Sequence, residues 1–68
     1  MKIVAKSVFQ EKRMKSGLSM KTLSEKANIS VRTVFRAEHG IPVYPVVAGK
    51  ICSALNCSFD DIFLLKDA

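Results

Sequence analysis

Apolar residues recur at helical spacing in short stretches of this chain, and residues that cap helices stand between the stretches. Phe9 lies in a first helix that Gly17 ends, since glycine readily takes the left-handed conformation found after a helix C-terminus. Leu23 and Ala27 are four residues apart in a second helix, for which Ser19 is a good N-cap. The pattern therefore predicts two helices in the first half of the chain.

A third helix is expected after a sharp turn at Asn28, because asparagine tolerates a positive φ better than most residues. Ser30 provides its N-cap and Gly40 ends it. Helical geometry places Arg32 and Arg36 on one side of this helix, opposite the inward residues Val34, Ala37 and Glu38. Two short helices joined by a tight turn, over about 19–40, are how many small proteins enter the major groove of DNA.

The second half of the chain predicts two more helices. Pro45 suits the first turn of a fourth helix, and Ser58 starts a short fifth helix that runs to about Phe63 with acidic residues in its first turn. The apolar segments 3–4 and 63–65 could also pair as a small two-stranded sheet. We therefore predict an all-α fold of five helices in a single domain over 1–68.

Charge is unevenly distributed along the chain. Residues 1–36 hold nine Lys or Arg against two Glu, a net of +7, whereas residues 37–68 have a net of −2. A basic half favours a polyanionic partner such as nucleic acid. The alternative is that these basic residues only keep the protein soluble, since a high isoelectric point is common in small domains.

Few residues offer chemistry of another kind. Cys52 and Cys57 are the only cysteines and His39 is the only histidine, whereas a zinc site needs four ligands, commonly in closely spaced pairs. We interpret the cysteines as small buried hydrophobes in a reducing compartment, with a metal or redox role as the alternative. The chain offers no nucleophile–base set and no phosphate-binding glycine loop, so we expect no enzyme activity, cofactor, metal or small-molecule ligand.

Membrane and secretion signals are missing from the sequence. No apolar run approaches the length needed to span a bilayer, and the first nine residues lack the long apolar core of a signal peptide. We therefore expect a cytoplasmic protein that makes no membrane contact.

The predicted order of five helices resembles the Cro and phage-repressor family of helix-turn-helix regulators, also called the Xre family. The resemblance covers about Ser7 to Leu65 and rests on four motifs, which are G-L-S at 17–19, N-I-S at 28–30, R-x-E-x-G at 36–40 and A-L-N-C-S-F-D-D-I-F at 54–63. It implies a lambda-repressor-like domain that binds double-stranded DNA. It also implies an ion pair between Arg13 and Glu38, which would set packing geometry.

The base-reading side chains are expected on the helix Val31–His39. Arg32 lies in its first turn, and a planar guanidinium can donate two hydrogen bonds to guanine. Arg36 follows one turn later and can read a base or hold a phosphate. Val31 and Phe35 can touch thymine methyl groups. Alternatives are a solvated helix face for the arginines, the core for Val31 and packing against the second helix for Phe35.

Candidates for DNA phosphate contacts lie near the starts of three helices. They are Ser19, Met20, Lys21, Thr33 and Tyr44, with Lys26 and His39 as further candidates. Met20 stands where the family often has a glutamine that bonds a phosphate, so backbone amides would have to make that contact. Thr33 can instead cap its helix, and the lysines can simply be solvated.

Members of the family commonly bind palindromic sites as two-fold dimers. A homodimer surface is expected in the less basic half, at the apolar residues Ile62, Phe63, Leu64 and Leu65, although these residues could instead close the monomer core. We predict a sequence-specific transcriptional regulator that represses by occupying a promoter. The alternative is a module that keeps the fold but binds a protein, which Met20 and Phe35 on the DNA-facing side favour.

Overall fold

The computed structural model describes residues 1–67 and contains five helices and two short strands. The elements in chain order are β1 (Lys2–Ala5), α1 (Val8–Lys15), α2 (Met20–Ala27), α3 (Val31–Glu38), α4 (Pro45–Leu55), α5 (Phe59–Ile62) and β2 (Phe63–Lys66). The helices occur where the sequence predicts them. No helix within residues 1–67 is both long enough and apolar enough to span a membrane.

The two strands confirm the predicted pairing of segments from opposite ends of the sequence. β1 and β2 run antiparallel, with Ile3 opposite Leu65 and Val4 opposite Leu64. The backbone N–H of Val43 donates a 2.9 Å hydrogen bond to the carbonyl of Ile3, on the other side of β1. The small sheet is therefore tied to the loop between α3 and α4.

Local capping explains where the helices around the predicted turn begin and end. Ser19 and Thr22 form a capping box at the start of α2, in which each side chain accepts a hydrogen bond from the other residue's backbone N–H. Asn28 ends α2 in the left-handed conformation, with φ 57°. The Ser30 hydroxyl then accepts a 3.1 Å bond from the Thr33 N–H and starts α3. These caps fix a short, sharp turn between the two helices.

A core of twelve buried apolar residues joins all five helices and β2. Its largest fully buried side chains are Phe9, Leu23, Val34, Ile51, Ile62 and Phe63. The rings of Phe9 and Phe63 meet edge to face with centroids 5.8 Å apart, a favourable aromatic geometry. Helix α5 ends at Ile62, one residue before its predicted end, because Phe63 is already extended and begins β2.

A buried ion pair links α1 to α3. The Arg13 guanidinium donates to both carboxylate oxygens of Glu38, at 2.9 Å and 3.2 Å, and donates a third bond of 2.9 Å to the carbonyl of Leu18. Less than a tenth of either side chain is exposed. Bidentate arginine–carboxylate pairs are geometrically specific, so this pair fixes how α3 lies against α1.

Candidate nucleic-acid interface

The outward side of α3 presents two arginines to solvent. Arg32 and Arg36 are both exposed, and neither guanidinium forms an ion pair with any residue of 1–67. Val34 and Ala37, on the opposite side of the same helix, have no exposed surface. The helix is therefore held by one side and leaves the hydrogen-bond donors of two arginines free on the other.

A shallow groove of about 350 Å³ runs beside these arginines. Its walls come from α3, the loop after it and the start of α4, and its lining residues are Arg32, Thr33, Arg36, Pro42, Val43, Tyr44 and Val47. Tyr44 is 80% exposed. The structure therefore brings one predicted phosphate-contact residue, Tyr44, next to the predicted base-reading arginines.

The hydroxyl groups predicted to hold phosphates are engaged in helix capping. Thr33 Oγ1 lies 2.7 Å from Ser30 Oγ, and its backbone N–H is bonded to that same oxygen. Ser19 Oγ accepts the Thr22 N–H at 3.1 Å. Both side chains therefore have local structural partners at the helix starts, in addition to their surface positions.

Met20 and Lys21 differ in how they lie at the start of α2. The Met20 side chain is half-buried and packs against the core, whereas Lys21 is exposed. The thioether of Met20 is thus part of the packing of α2. The groups available to a ligand at the start of α2 are the Lys21 ammonium and the first backbone N–H groups.

Phe35 and His39 form an aromatic pair on the flank of α3. Their rings stack with centroids 4.0 Å apart, and Phe35 is 49% exposed. His39 Nδ1 lies 2.8 Å from the Phe35 carbonyl oxygen. Because a carbonyl oxygen only accepts, Nδ1 is the donor in this hydrogen bond. Val31, on the same flank, is 48% exposed and does not belong to the core.

The four residues predicted to form a dimer surface separate into two groups. Ile62 and Phe63 have no exposed surface, because both side chains close the core of the monomer. Leu64 and Leu65 are 37% and 55% exposed on β2. The free surface of this segment is therefore limited to Leu64 and Leu65.

Cys52 lies in the last turn of α4 and Cys57 follows that helix, and neither lines the groove. Burial raises the pKa of the Cys52 thiol to about 11, and burial also raises the pKa of Cys57. Both thiols are accordingly protonated and weakly nucleophilic at neutral pH. Within residues 1–67, no three side chains of His, Cys, Asp or Glu are grouped so that they could hold a metal ion.

One cation beside this surface does not follow from the sequence pattern. Lys2, on β1, lines a second depression together with Arg36 and Tyr44. A lysine so far along the sequence from α3 carries no local signal of this position. The bond between Val43 and Ile3 brings the two segments together.

Comparison with known proteins identifies the fold family. No curated protein matches the chain. A family model described as helix-turn-helix matches residues 9–62, which is most of the chain. The match begins in α1, ends with α5 and includes the whole α2–turn–α3 unit. The chain therefore belongs to this helix-turn-helix family of Xre, Cro and lambda-repressor-like DNA-binding regulators.

Proposed function

We propose that this protein is a sequence-specific double-stranded DNA-binding repressor that reads the major groove with α3 and His39. The observation that carries the proposal is the pair of exposed arginines, Arg32 and Arg36, which share one side of a helix whose other side is anchored in the core. A guanidinium left without a carboxylate partner keeps its donors for a ligand. In the major groove, guanine offers the two acceptors that match this planar donor.

The proposed base contacts follow from position along α3. Arg32 lies in the first turn, which reaches deepest into the groove, and reads guanine. Val31 and Phe35 expose about half of their surface on the neighbouring flank and are suited to thymine methyl groups. These three side chains, Val31, Arg32 and Phe35, form the reading surface. Arg36, one turn later, lies at the edge of this reading surface and reads a base or holds a phosphate.

The proposed phosphate contacts surround this surface. Lys21 and the first backbone N–H groups of α2, at Met20 and Lys21, face one strand, since helix starts attract phosphate. Tyr44 contacts the DNA backbone on the other side of the major groove. Ser19 and Thr33 contribute by holding the helix starts in place and can donate a hydroxyl to a nearby phosphate oxygen.

Dimerisation on a palindromic site is part of the proposal. Leu64 and Leu65 are exposed on β2, and β1 occupies only one edge of that strand. A second copy that covers these leucines would place two reading helices on one face, as half-sites about one helical turn apart require. Repression then follows because a dimer bound at a promoter excludes polymerase.

A second candidate function is binding to a protein through the same face. Exposed apolar side chains at Val31 and Phe35 favour this alternative, because such residues mark protein contacts as well as contacts to thymine. Met20 no longer favours it, since its side chain packs against the core.

Selection from a pool of random DNA duplexes at two salt concentrations tests both functions. DNA binding predicts an enriched palindrome, and it predicts affinity that falls steeply with salt, because releasing condensed counterions gains less entropy when the salt concentration is high. Sedimentation of the protein alone and with the selected duplex gives the number of copies bound. The double variant Leu64→Glu/Leu65→Glu should bind half-sites weakly and sediment as a monomer. Absence of any retained DNA at low salt would overturn the DNA-binding proposal and leave the protein-binding alternative.

A further inference from the structure

A depression of about 390 Å³ lies beside the reading surface, where β1 meets the loop between α3 and α4. Lys2 and Ile3 form one wall, and Arg36 and Tyr44 form the other. Arg36 and Tyr44 also line the groove next to Arg32. The depression is thus continuous with the surface proposed to face DNA.

Backbone contacts, not the lysine side chain, hold Lys2 at this place. The Ile3 carbonyl accepts the Val43 N–H at 2.9 Å, and β1 pairs with β2 along its length. Ile3 is half-buried against the core, whereas Lys2 is exposed. Replacing the Lys2 side chain therefore leaves in place the backbone hydrogen bonds that position the strand.

The local charge is positive and has no acidic counterpart. No Asp or Glu lines the depression, and neither Lys2 nor Arg36 forms an ion pair with any residue of 1–67. Lys66 lies directly opposite Lys2 in the sheet register. Like charges that face each other across strands destabilise a sheet, so the fold itself gains nothing from this cluster.

We propose that Lys2 and Arg36 together bind one phosphate of the DNA backbone, with the Tyr44 hydroxyl as an additional donor. This inference rests on the proposed DNA-binding function and extends it. It assigns Arg36 to the backbone instead of to a base, and it extends the DNA contact beyond the helix-turn-helix unit to β1. A DNA phosphate is the favoured ligand because Arg36 lines both the depression and the groove beside Arg32, so a strand whose bases meet Arg32 would carry its backbone past the depression.

The test compares Lys2→Ala with Lys50→Ala, a change to an exposed lysine of α4 that lines neither depression. Affinity for the selected duplex is measured by fluorescence anisotropy at several salt concentrations. Because the proposed dimer carries two copies of Lys2, losing this contact should reduce the slope of log affinity against log salt by about 0.9 per subunit, or about 1.8 in all. Roughly five- to tenfold weaker binding per subunit should then weaken binding of the dimer roughly 25- to 100-fold near 0.1 M salt. The preference for the selected sequence over single-base variants should stay the same, because phosphates carry no sequence information.

Two further variants exclude a purely structural effect. Lys2→Arg keeps the charge and should keep the wild-type slope. Lys2→Ala removes the repulsion from Lys66, so its thermal midpoint should not fall below that of wild type. Arg36→Ala should resemble Lys2→Ala in weakening all sequences alike.

Each outcome points to one conclusion. If Lys2→Ala and Lys50→Ala give the same slope and affinity while wild type binds its duplex, the phosphate site is wrong and the DNA-binding proposal stands. If wild type binds no duplex at any salt concentration, both proposals fail. If Arg36→Ala changes preference at one base pair, Arg36 reads a base and the shared phosphate site is overturned.

Discussion

Arginines lie on both sides of α3 in opposite situations, one reaching its inward side from α1 and two belonging to its outward side. On the inward side, Glu38 and its partner Arg13 are buried and bonded to each other. On the outward side, Arg32 and Arg36 are exposed and form no ion pair within residues 1–67. An arginine whose donors are satisfied by the fold acts as scaffold, and an arginine whose donors are left free is available to a ligand. Residue type and net charge alone do not separate the two roles.

The largest expected effect comes from breaking the inward pair. Glu38→Ala would leave the Arg13 guanidinium buried without its carboxylate, which typically costs about 3–5 kcal/mol of unfolding free energy. Since small domains have only about 5–15 kcal/mol in total, much of the stability would be lost. Urea unfolding followed by circular dichroism measures this loss.

The control for this variant is Glu25→Ala, on the exposed surface of α2, which should change stability by no more than about 0.5 kcal/mol. The double variant Arg13→Met/Glu38→Leu removes both charges and should recover most of the stability, because apolar replacement of a buried pair is often close to neutral. Equal losses for Glu38→Ala and Glu25→Ala would show that the two sides of α3 do not differ as described.

An intermediate effect is expected from the outward side. Arg32→Ala should leave the unfolding free energy within about 0.5 kcal/mol of wild type, because the side chain is exposed and forms no ion pair with the described residues 1–67. It should remove about 1–3 kcal/mol of discrimination between guanine and other bases at one position, a loss of roughly 5- to 150-fold in preference. Competition binding with duplexes changed at single positions measures it.

Lys21→Ala is the matched comparison for Arg32→Ala. Loss of a phosphate contact should weaken binding to every sequence by a similar factor and leave the preference intact. If Arg32→Ala behaves in the same way as Lys21→Ala, Arg32 contacts the backbone and the base-reading role is misplaced.

The smallest effect concerns two neighbouring carboxylates: Asp61 accepts a hydrogen bond, whereas the Asp60 carboxylate forms no ion pair within residues 1–67. The Asp61 side chain accepts a 3.0 Å bond from the Ser58 N–H, and this bond lowers the pKa of Asp61 below its usual range. A carboxyl whose pKa is lowered by folding stabilises the protein fully at pH values above its pKa in the unfolded chain, about 3.9. This stabilisation is lost as the pH falls through its pKa in the folded protein.

Asp61→Asn should therefore flatten the dependence of the thermal midpoint on pH below about pH 4. Asp60→Asn, which changes an exposed carboxylate outside the capping box, serves as its control and should leave the curve as in wild type. A larger change from Asp60→Asn would contradict the contrast between partnered and free carboxylates.

The sequence predicts the helices well because the residues that start and end each helix lie close to it in the sequence. Ser19, Asn28 and Ser30 act through bonds to residues within a few positions, so their types are enough to locate the turn. The outward position of Arg32 and Arg36 likewise follows from helical periodicity.

Features that depend on contacts between distant parts of the chain are harder to predict from the sequence. The sequence places Ile62, Phe63, Leu64 and Leu65 either at a dimer surface or in the monomer core. It does not show that Phe63 packs on Phe9, near the other end of the chain, and that Ile62 and Phe63 have no exposed surface. The position of Lys2 beside Arg36 depends on a bond between Ile3 and Val43. Periodicity within one segment contains no information about which distant segment will lie next to it.

The pairing of β1 with β2 has a consequence for the order of folding. Closing this sheet joins segments separated by nearly the whole described chain, so it carries a high loop-closure entropy, whereas α2, the turn and α3 form from neighbouring residues. We expect α2, the turn and α3 to form early and the sheet to close late. Lys2 would then reach Arg36 only in the final step, so that the proposed phosphate site would be complete only in the fully folded chain.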